Sequence, residues 1–384
     1  MTEQILTKYN ELFQGQPSLF ASPGRVNLIG EHTDYNEGFV LPGAIDKAIY
    51  LAIKPNQTST INAYSLDYDH MVSFIPSREK LDEHWANYIL GVVMELGETG
   101  AEAGGFDCVF GGDIPLGAGL SSSAALESVF AFALNDLFGL KKSLAQLARI
   151  GQLAEHNYAG VRCGIMDQFA SLHGQQGKLI KLDCRSLEVE LIPFDPQKSG
   201  SRLVLLDTMV KHSLASSEYN VRRQQCEAGV AVVKQKYPQV NSLRDINMEM
   251  LSESKGDMQP IVFQRCQYVI EENLRLHRAC EAMQQNDLTT FGQMMFGSHL
   301  GLRHQYEVSC KELDFLADMA AGEPGILGAR MMGGGFGGCT INLVSEQAHD
   351  EFIERATSRF LEKFGQKPRV YDVVISDGAR KLRG

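Results

Sequence analysis

The sequence predicts a two-domain chain of mixed helix and sheet, and three observations carry that prediction. At 384 residues the chain exceeds what one small hydrophobic core can hold. Its first half alternates strand-like runs with helical ones, whereas its second half is richer in helix. Between them lies a polar, turn-forming stretch at 196–201. The boundary is therefore expected there, with one domain over residues 1–200 and a second over 201–384.

Residues 1–13 place Ile5, Leu6, Tyr9, Leu12 and Phe13 at helical spacing among polar neighbours, which predicts an amphipathic helix and not a secretory signal. Strands are expected at 18–22, 48–54, 60–64, 71–75, 106–110, 178–182 and 189–194. Apolar residues three to four apart predict helices at 85–97, 122–138 and 144–158. Beyond the turn come a strand at 203–206, helices at 217–237, 260–283, 288–300 and 348–364, and closing strands at 339–344 and 369–375. No internal repeat or low-complexity tract is present, which argues against a solenoid.

Composition is that of an ordinary globular protein, with 44% hydrophobic and 22% charged residues. A formal net charge of -11 disfavours general binding to nucleic acid or an anionic membrane, so an anionic substrate would need a local positive pocket. The eight cysteines are scattered singly, without Cys-x-x-Cys pairs or His/Cys clusters of zinc spacing. No apolar run approaches membrane-spanning length. A reducing, cytoplasmic location with free thiols is expected.

Residues 24–35, Gly-Arg-Val-Asn-Leu-Ile-Gly-Glu-His-Thr-Asp-Tyr, are the densest chemistry in the chain. Val26, Leu28 and Ile29 suit a strand, while Glu31, His32 and Asp34 just after it are costly to bury together unless they meet a polar ligand such as a sugar. Taken alone, the run also fits a solvated turn.

Residues 111–126 follow a predicted strand and precede a predicted helix. Strand, glycine loop and helix make a phosphate cradle: Gly117 and Gly119 admit an anion to the backbone, Ser121, Ser122 and Ser123 offer hydroxyls, and the helix start presents unpaired N–H groups. Serines there would also serve as plain helix caps. The third glycine of a dinucleotide fingerprint, the Gly-x-x-x-x-Gly-Lys-Ser/Thr loop and the protein-kinase triads are all missing, which leaves a nucleotide site of another lineage. A second glycine cluster, residues 331–340, has five glycines between 333 and 338. It is either a tight turn or a loop closely approached by a ligand, and two such loops in separate halves suggest a site in the cleft between them.

Together the three segments resemble the GHMP family of small-molecule kinases and, within it, the galactokinases. The opening run is similar to their sugar signature, residues 114–126 to their phosphate loop, and 332–338 to the third family motif; residues 163–168 (Cys-Gly-Ile-Met-Asp-Gln) and 217–220 (Ser-Glu-Tyr-Asn) also match. The resemblance implies an α+β fold, with an N-terminal domain like the second domain of ribosomal protein S5, a C-terminal ferredoxin-like domain and a last strand that crosses back. It also implies an ATP-dependent kinase that makes galactose 1-phosphate from α-D-galactose with Mg²⁺.

By the same resemblance, Asp167 matches the catalytic aspartate, whose ordinary alternative is a helix cap, and Arg25 matches the arginine that orients it. Glu31, His32, Thr33, Asp34, Gly164 and Tyr219 match sugar contacts. Gly117, Ala118, Gly119, Leu120, Ser121, Ser122 and Ser123 would hold the ATP phosphates, and Ser123 with Glu155 would bind Mg²⁺. Trp85, the sole tryptophan, matches a position near the adenine, although packing is its commoner use. The implied partners are small molecules, galactose and ATP, with no nucleic acid and no membrane; the oligomeric state is left open, with a monomer favoured. The rivals are a kinase for N-acetylgalactosamine or arabinose, and a galactose sensor without turnover. The intact serine loop and Asp167 argue against the sensor.

Overall fold

The computed structural model describes residues 1–101, 103–115, 117–210 and 215–383. Leu116, inside the predicted phosphate loop, lies outside the described residues. The first half runs α1 (Thr2–Leu12), β1 (Ser18–Asn27), β2 (Phe39–Val40), β3 (Pro42–Pro55), β4 (Ile61–Ser65), β5 (His70–Phe74), α2 (Ala86–Glu98) and β6 (Phe106–Gly112). It continues through α3 (Ser122–Leu137), α4 (Leu144–Ala154), α5 (Met166–His173), β7 (Lys178–Asp183) and β8 (Val189–Pro193). The second half comprises β9 (Ser201–Asp207), α6 (Ala215–Lys236), α7 (Met248–Glu253), α8 (Pro260–Gln284), α9 (Leu288–Gly301) and α10 (Lys311–Ala321). Then come β10 (Ile326–Met331), β11 (Cys339–Ser345), α11 (His349–Phe364), β12 (Arg369–Val373) and β13 (Arg380–Arg383).

The larger sheet has the order β13-β1-β3-β6-β4-β5, antiparallel except where β4 meets β6. Helices α2 to α5 pack on one face through the main apolar core, while Ile5 and Tyr9 of α1 cover Leu19, Ala52 and Val109 on the other. Covered on both faces, β1 is buried at every position after the first. Such a strand shows continuous apolar and small residues instead of alternation. β2, β7 and β8 form a small separate sheet.

The third sheet has the order β10-β11-β9-β12, all antiparallel, with α6 to α10 between β9 and β10 and α11 between β11 and β12. This is the β-α-β-β-α-β pattern of ferredoxin-like folds. The chain then returns to the first sheet through β13, which pairs with β1. Leu203, Leu205, Leu276, Phe291 and Ile341 of the second half pack into the same apolar cluster as the first-half core, so a continuous interior holds the two halves together. All eight cysteines are free, and among the described residues no helix is long and apolar enough to cross a membrane.

Differences from expectation are local. Helix α4 ends at Ala154 and passes into a π-helical turn, Glu155–Ala159, inside the predicted 144–158 helix. β1 runs on through Pro23 and Gly24, and α5, α7, α10 and β10 were not anticipated.

Candidate active site

Strand β1 aims the first chemical group. Its register against β3 shifts between Pro23 and Arg25, and a Cβ on Gly24 would lie 2.6 Å from the Leu120 carbonyl oxygen. Glycine thus lets the loop before α3 lie against the strand, and the bulge turns Arg25 toward it. The Arg25 backbone N–H donates to the Leu120 carbonyl at 3.2 Å, and its Nη1 donates to that of Gly119 at 2.7 Å.

The rest of the Arg25 guanidinium grips Asp167 in the first turn of α5. Nε donates to Oδ1 at 2.8 Å and Nη2 to Oδ2 at 2.9 Å, the fork geometry that fixes a carboxylate in one orientation. Arg25 is buried, while the Asp167 side chain keeps 27% of its surface, enough to face a ligand. Asp167 does not cap its helix, since Ile165 occupies the N-cap position.

Ser121 completes this cluster. It stands at the N-cap of α3 in the left-handed region (φ 58°), makes no side-chain cap, and donates its hydroxyl to Asp167 Oδ2 at 2.5 Å. The helix start therefore remains directed at whatever sits before it. A Cβ on Gly333 would lie 3.5 Å from the Gly119 carbonyl oxygen, and one on Gly338 the same distance from that of Ala118. The two glycine loops thus abut, as expected of a site between the halves.

Beside them lies a cavity of about 230 Å³. That is below the roughly 300 Å³ of drug-sized pockets and suits one small polar molecule. Arg25, Glu31, His32, Asp34, Glu155, Gly164, Asp167 and Tyr219 line it, together with Val161, Cys163, Met166 and Gly333 to Gly335. Thr33 does not: its hydroxyl is spent on the Gly30 and Phe39 carbonyls, and it holds the signature loop in shape. Trp85 lies apart, buried and packed on Tyr68 and Phe110.

Asp34 is a strongly perturbed acid of the cavity wall. Burial and the nearby charge of Asp167 push its carboxyl up to about 7. Gly164 leaves it room, because a Cβ there would fall 1.8 Å from Asp34 Oδ2. Burial, opposed by the hydrogen bond to Gly334, brings His32 down to about 3, so the ring is neutral. Its Nε2 meets the Gly334 carbonyl at 3.2 Å, and a carbonyl only accepts, so Nε2 carries the proton. Nδ1 then accepts from the Tyr35 hydroxyl at 2.9 Å, which in turn accepts from Tyr306 at 2.7 Å. Both His32 nitrogens are engaged, and the ring packs 5.2 Å from that of Tyr219.

Glu31 Oε1 accepts from Arg330 at 2.6 Å and from the Gly333 N–H at 2.8 Å. Arg330, fully buried in β10, also donates to the Asn27, Leu28 and Met331 carbonyls. Glu272 of α8 accepts from the Gly30 N–H and Asn273 from that of Phe39. These second-half residues shape the signature loop, yet no local pattern in the sequence marks them.

Glu155 opens the π turn after α4, a distortion that re-aims a side chain. Its Oε1 accepts from Ser123 at 3.2 Å and its Oε2 from Gln168 at 2.8 Å and Cys163 at 3.2 Å. Burial and Asp167 push its carboxyl up. Glu127 shares Gln168, and its Oε1 is buried without a hydrogen-bond partner. These carboxylates keep acceptor capacity beside the glycine-serine loop, and hard oxygens of this kind are the donor set that would suit Mg²⁺. Among the described residues, no group of three His, Cys, Asp or Glu side chains forms a ready-made metal cage.

Comparison with known proteins agrees with this geometry. Residues 7–55 match the galactokinase galactose-binding signature, 87–175 the GHMP kinase N-terminal domain and 279–363 the GHMP kinase C-terminal domain. A Clostridium beijerinckii galactokinase is 40% identical over 98% of both chains. One from Thermotoga maritima is 38% identical over 94% of this chain and 99% of its own. The crystal structure of Lactococcus lactis galactokinase complexed with galactose superposes with a TM-score of 0.94 at 34% identity, covering 98% of each chain. Methanococcus jannaschii mevalonate kinase, 18% identical over 95% of this chain and all of its own, shares the fold with a TM-score of 0.67. The chain is a sugar kinase with ATP as co-substrate and belongs to the galactokinase family of GHMP kinases.

Proposed function

We propose that the chain transfers the γ-phosphate of ATP to the anomeric hydroxyl of α-D-galactose, giving galactose 1-phosphate and ADP. The observation that carries this reading is the Arg25–Asp167 fork at the junction of a small polar cavity and a glycine-serine loop opening a helix. Asp167 accepts the proton of the sugar hydroxyl as that oxygen attacks phosphorus. Arg25 holds the carboxylate in place and adds positive charge beside the transferring group, so catalysis rests on positioning and electrostatics.

Residues Gly117 to Ser123 hold the phosphates against the start of α3, and Ser123 with Glu155 holds Mg²⁺, which when bound would neutralise phosphate charge. Asp34, Glu31, His32 and Tyr219 form the sugar pocket, with Gly164 as the space that Asp34 occupies. Thr33 supports the loop from behind. A buried acceptor left unpaired by the wrong epimer costs about 1–3 kcal/mol, which is how the pocket discriminates. The eight free cysteines support a reducing compartment such as the cytoplasm.

The test is ATP consumption across galactose, glucose, N-acetylgalactosamine and arabinose. Galactose should give the highest kcat/KM, and a higher value for another sugar would reassign the substrate. Binding of galactose without turnover would favour the sensor.

A further inference from the structure

We propose that a second, basic cavity behind the sugar pocket binds a phosphate-bearing small molecule, either inorganic phosphate or a sugar phosphate, and through their common wall changes sugar affinity. The proposal rests on the sugar-kinase reading of the neighbouring cavity. The second cavity, about 670 Å³, gathers Arg149, Arg162, Arg185, Arg223 and His156 around one hollow in a chain whose net charge is -11.

Two of these arginines are neutralised locally. Arg185 pairs with Glu37 and Asp245, each at 2.8 Å, and Arg223 pairs with Glu227 at 3.0 Å. The other two are not: Arg149 donates to the neutral Gln152 side chain, and among the described residues no salt bridge to a carboxylate is formed by Arg162, which is exposed. Two exposed guanidinium groups without a carboxylate partner among the described residues line one concavity, and they supply the charge and the paired N–H donors that a phosphate group takes.

The wall between the cavities is one chain thick. Val161 lines the sugar side, Arg162 the basic side, and Cys163, Gly164 and Asp34 line both. It is held from the basic side, where Arg223 donates to the Arg162 carbonyl at 3.2 Å, and His156 and Gln152 donate to that of Cys163 at 2.8 and 3.2 Å. Arg149 thus reaches the sugar-pocket wall through Gln152. A phosphate that engages Arg149 and Arg162 loads this relay and shifts the wall beside Asp34.

The experiment titrates inorganic phosphate into the full-length protein by calorimetry, with glucose 1-phosphate as a parallel arm, and measures galactose KM with each. Wild type and an Arg149→Gln/Arg162→Gln double variant are compared, with chloride at matched ionic strength as control. Saturable binding, a severalfold change in galactose KM, and a loss of about tenfold or more in phosphate affinity in the double variant are expected. Tighter binding in the glucose 1-phosphate arm assigns the sugar phosphate, and the reverse assigns free phosphate. Equal binding by both variants, no saturable binding in either arm, or the same KM change with chloride would overturn the proposal. Calorimetry does not depend on turnover, so phosphate binding in a protein that fails to phosphorylate galactose would refute the functional reading and leave the anion site standing.

Discussion

Gly164→Ala isolates one atom of the proposed sugar pocket. The added Cβ would fall 1.8 Å from Asp34 Oδ2, 2.0 Å from its Cγ and 2.7 Å from its Cβ, all inside the 3.0 Å that real Cβ contacts essentially never undercut. Asp34 has a short side chain, and its Oδ1 is tied to the Tyr35 N–H at 3.0 Å, so it cannot swing clear while keeping its place. Either the carboxylate retreats by more than an ångström or the 161–164 segment moves, and both change the cavity. A misplacement of about 1 Å costs on the order of 100-fold in a positioned reaction, so kcat/KM for galactose should fall by that order. Most of the loss should sit in KM, because Asp167 lies on α5 and keeps its Arg25 fork. Steady-state kinetics with galactose varied at saturating ATP, alongside a melting curve, measure this. A Gly164→Ala enzyme that melts like wild type and retains its galactose KM would refute the assignment of Asp34 to the sugar.

Asp34 also predicts a pH dependence. Its folded value of about 7 stands above the ordinary 3.8, so the folded chain binds this proton more tightly than the unfolded one. That contribution to stability is complete below pH 3.8 and is lost as pH rises through about 7. His32, brought down to about 3, gives the opposite slope between there and 6.5, so the comparison must be wild type against Asp34→Asn. The variant should gain on wild type as pH rises from about 3.8 to about 7 and keep that gain above it, and a constant difference in urea-unfolding free energy from pH 5 to 8 would contradict this. If the ionised carboxylate accepts a sugar hydroxyl, wild-type galactose KM should fall as pH rises through about 7. Arg330→Met strands Glu31 in the interior and should cost about 3–5 kcal/mol in chemical denaturation, the usual result of breaking a buried ion pair. A loss below about 1 kcal/mol would mean that the interior relaxes or that Glu31 takes up a proton cheaply.

The parts of this site that proved legible in the sequence were those packed into continuous segments. The Gly24 to Tyr35 run, the serine loop and the 331–340 glycines each concentrate unusual residues, and the fold brings all three to one place. Arg330, Glu272 and Asn273 escaped notice because each acts alone across more than 230 residues of chain, from a strand or helix whose other positions look ordinary. The π turn at Glu155 was invisible because one extra residue in a turn barely alters an apolar period read over 144–158. Thr33 shows a different limit, since a polar residue inside such a run can spend its hydroxyl on the run's own carbonyls and line no part of the cavity. Among folding elements, α5 was too short to show a period, and nothing local to β13 states that it joins β1.

The central claim is that Asp167, gripped by Arg25, takes the sugar's proton during phosphoryl transfer. The most direct measurement is galactose-dependent ATP turnover by wild type and Asp167→Asn, with galactose binding followed in parallel. The variant keeps the size of the side chain and removes its charge, so turnover should drop by roughly 10²–10⁴-fold while galactose still binds. Turnover in Asp167→Asn equal to that of wild type would contradict the account.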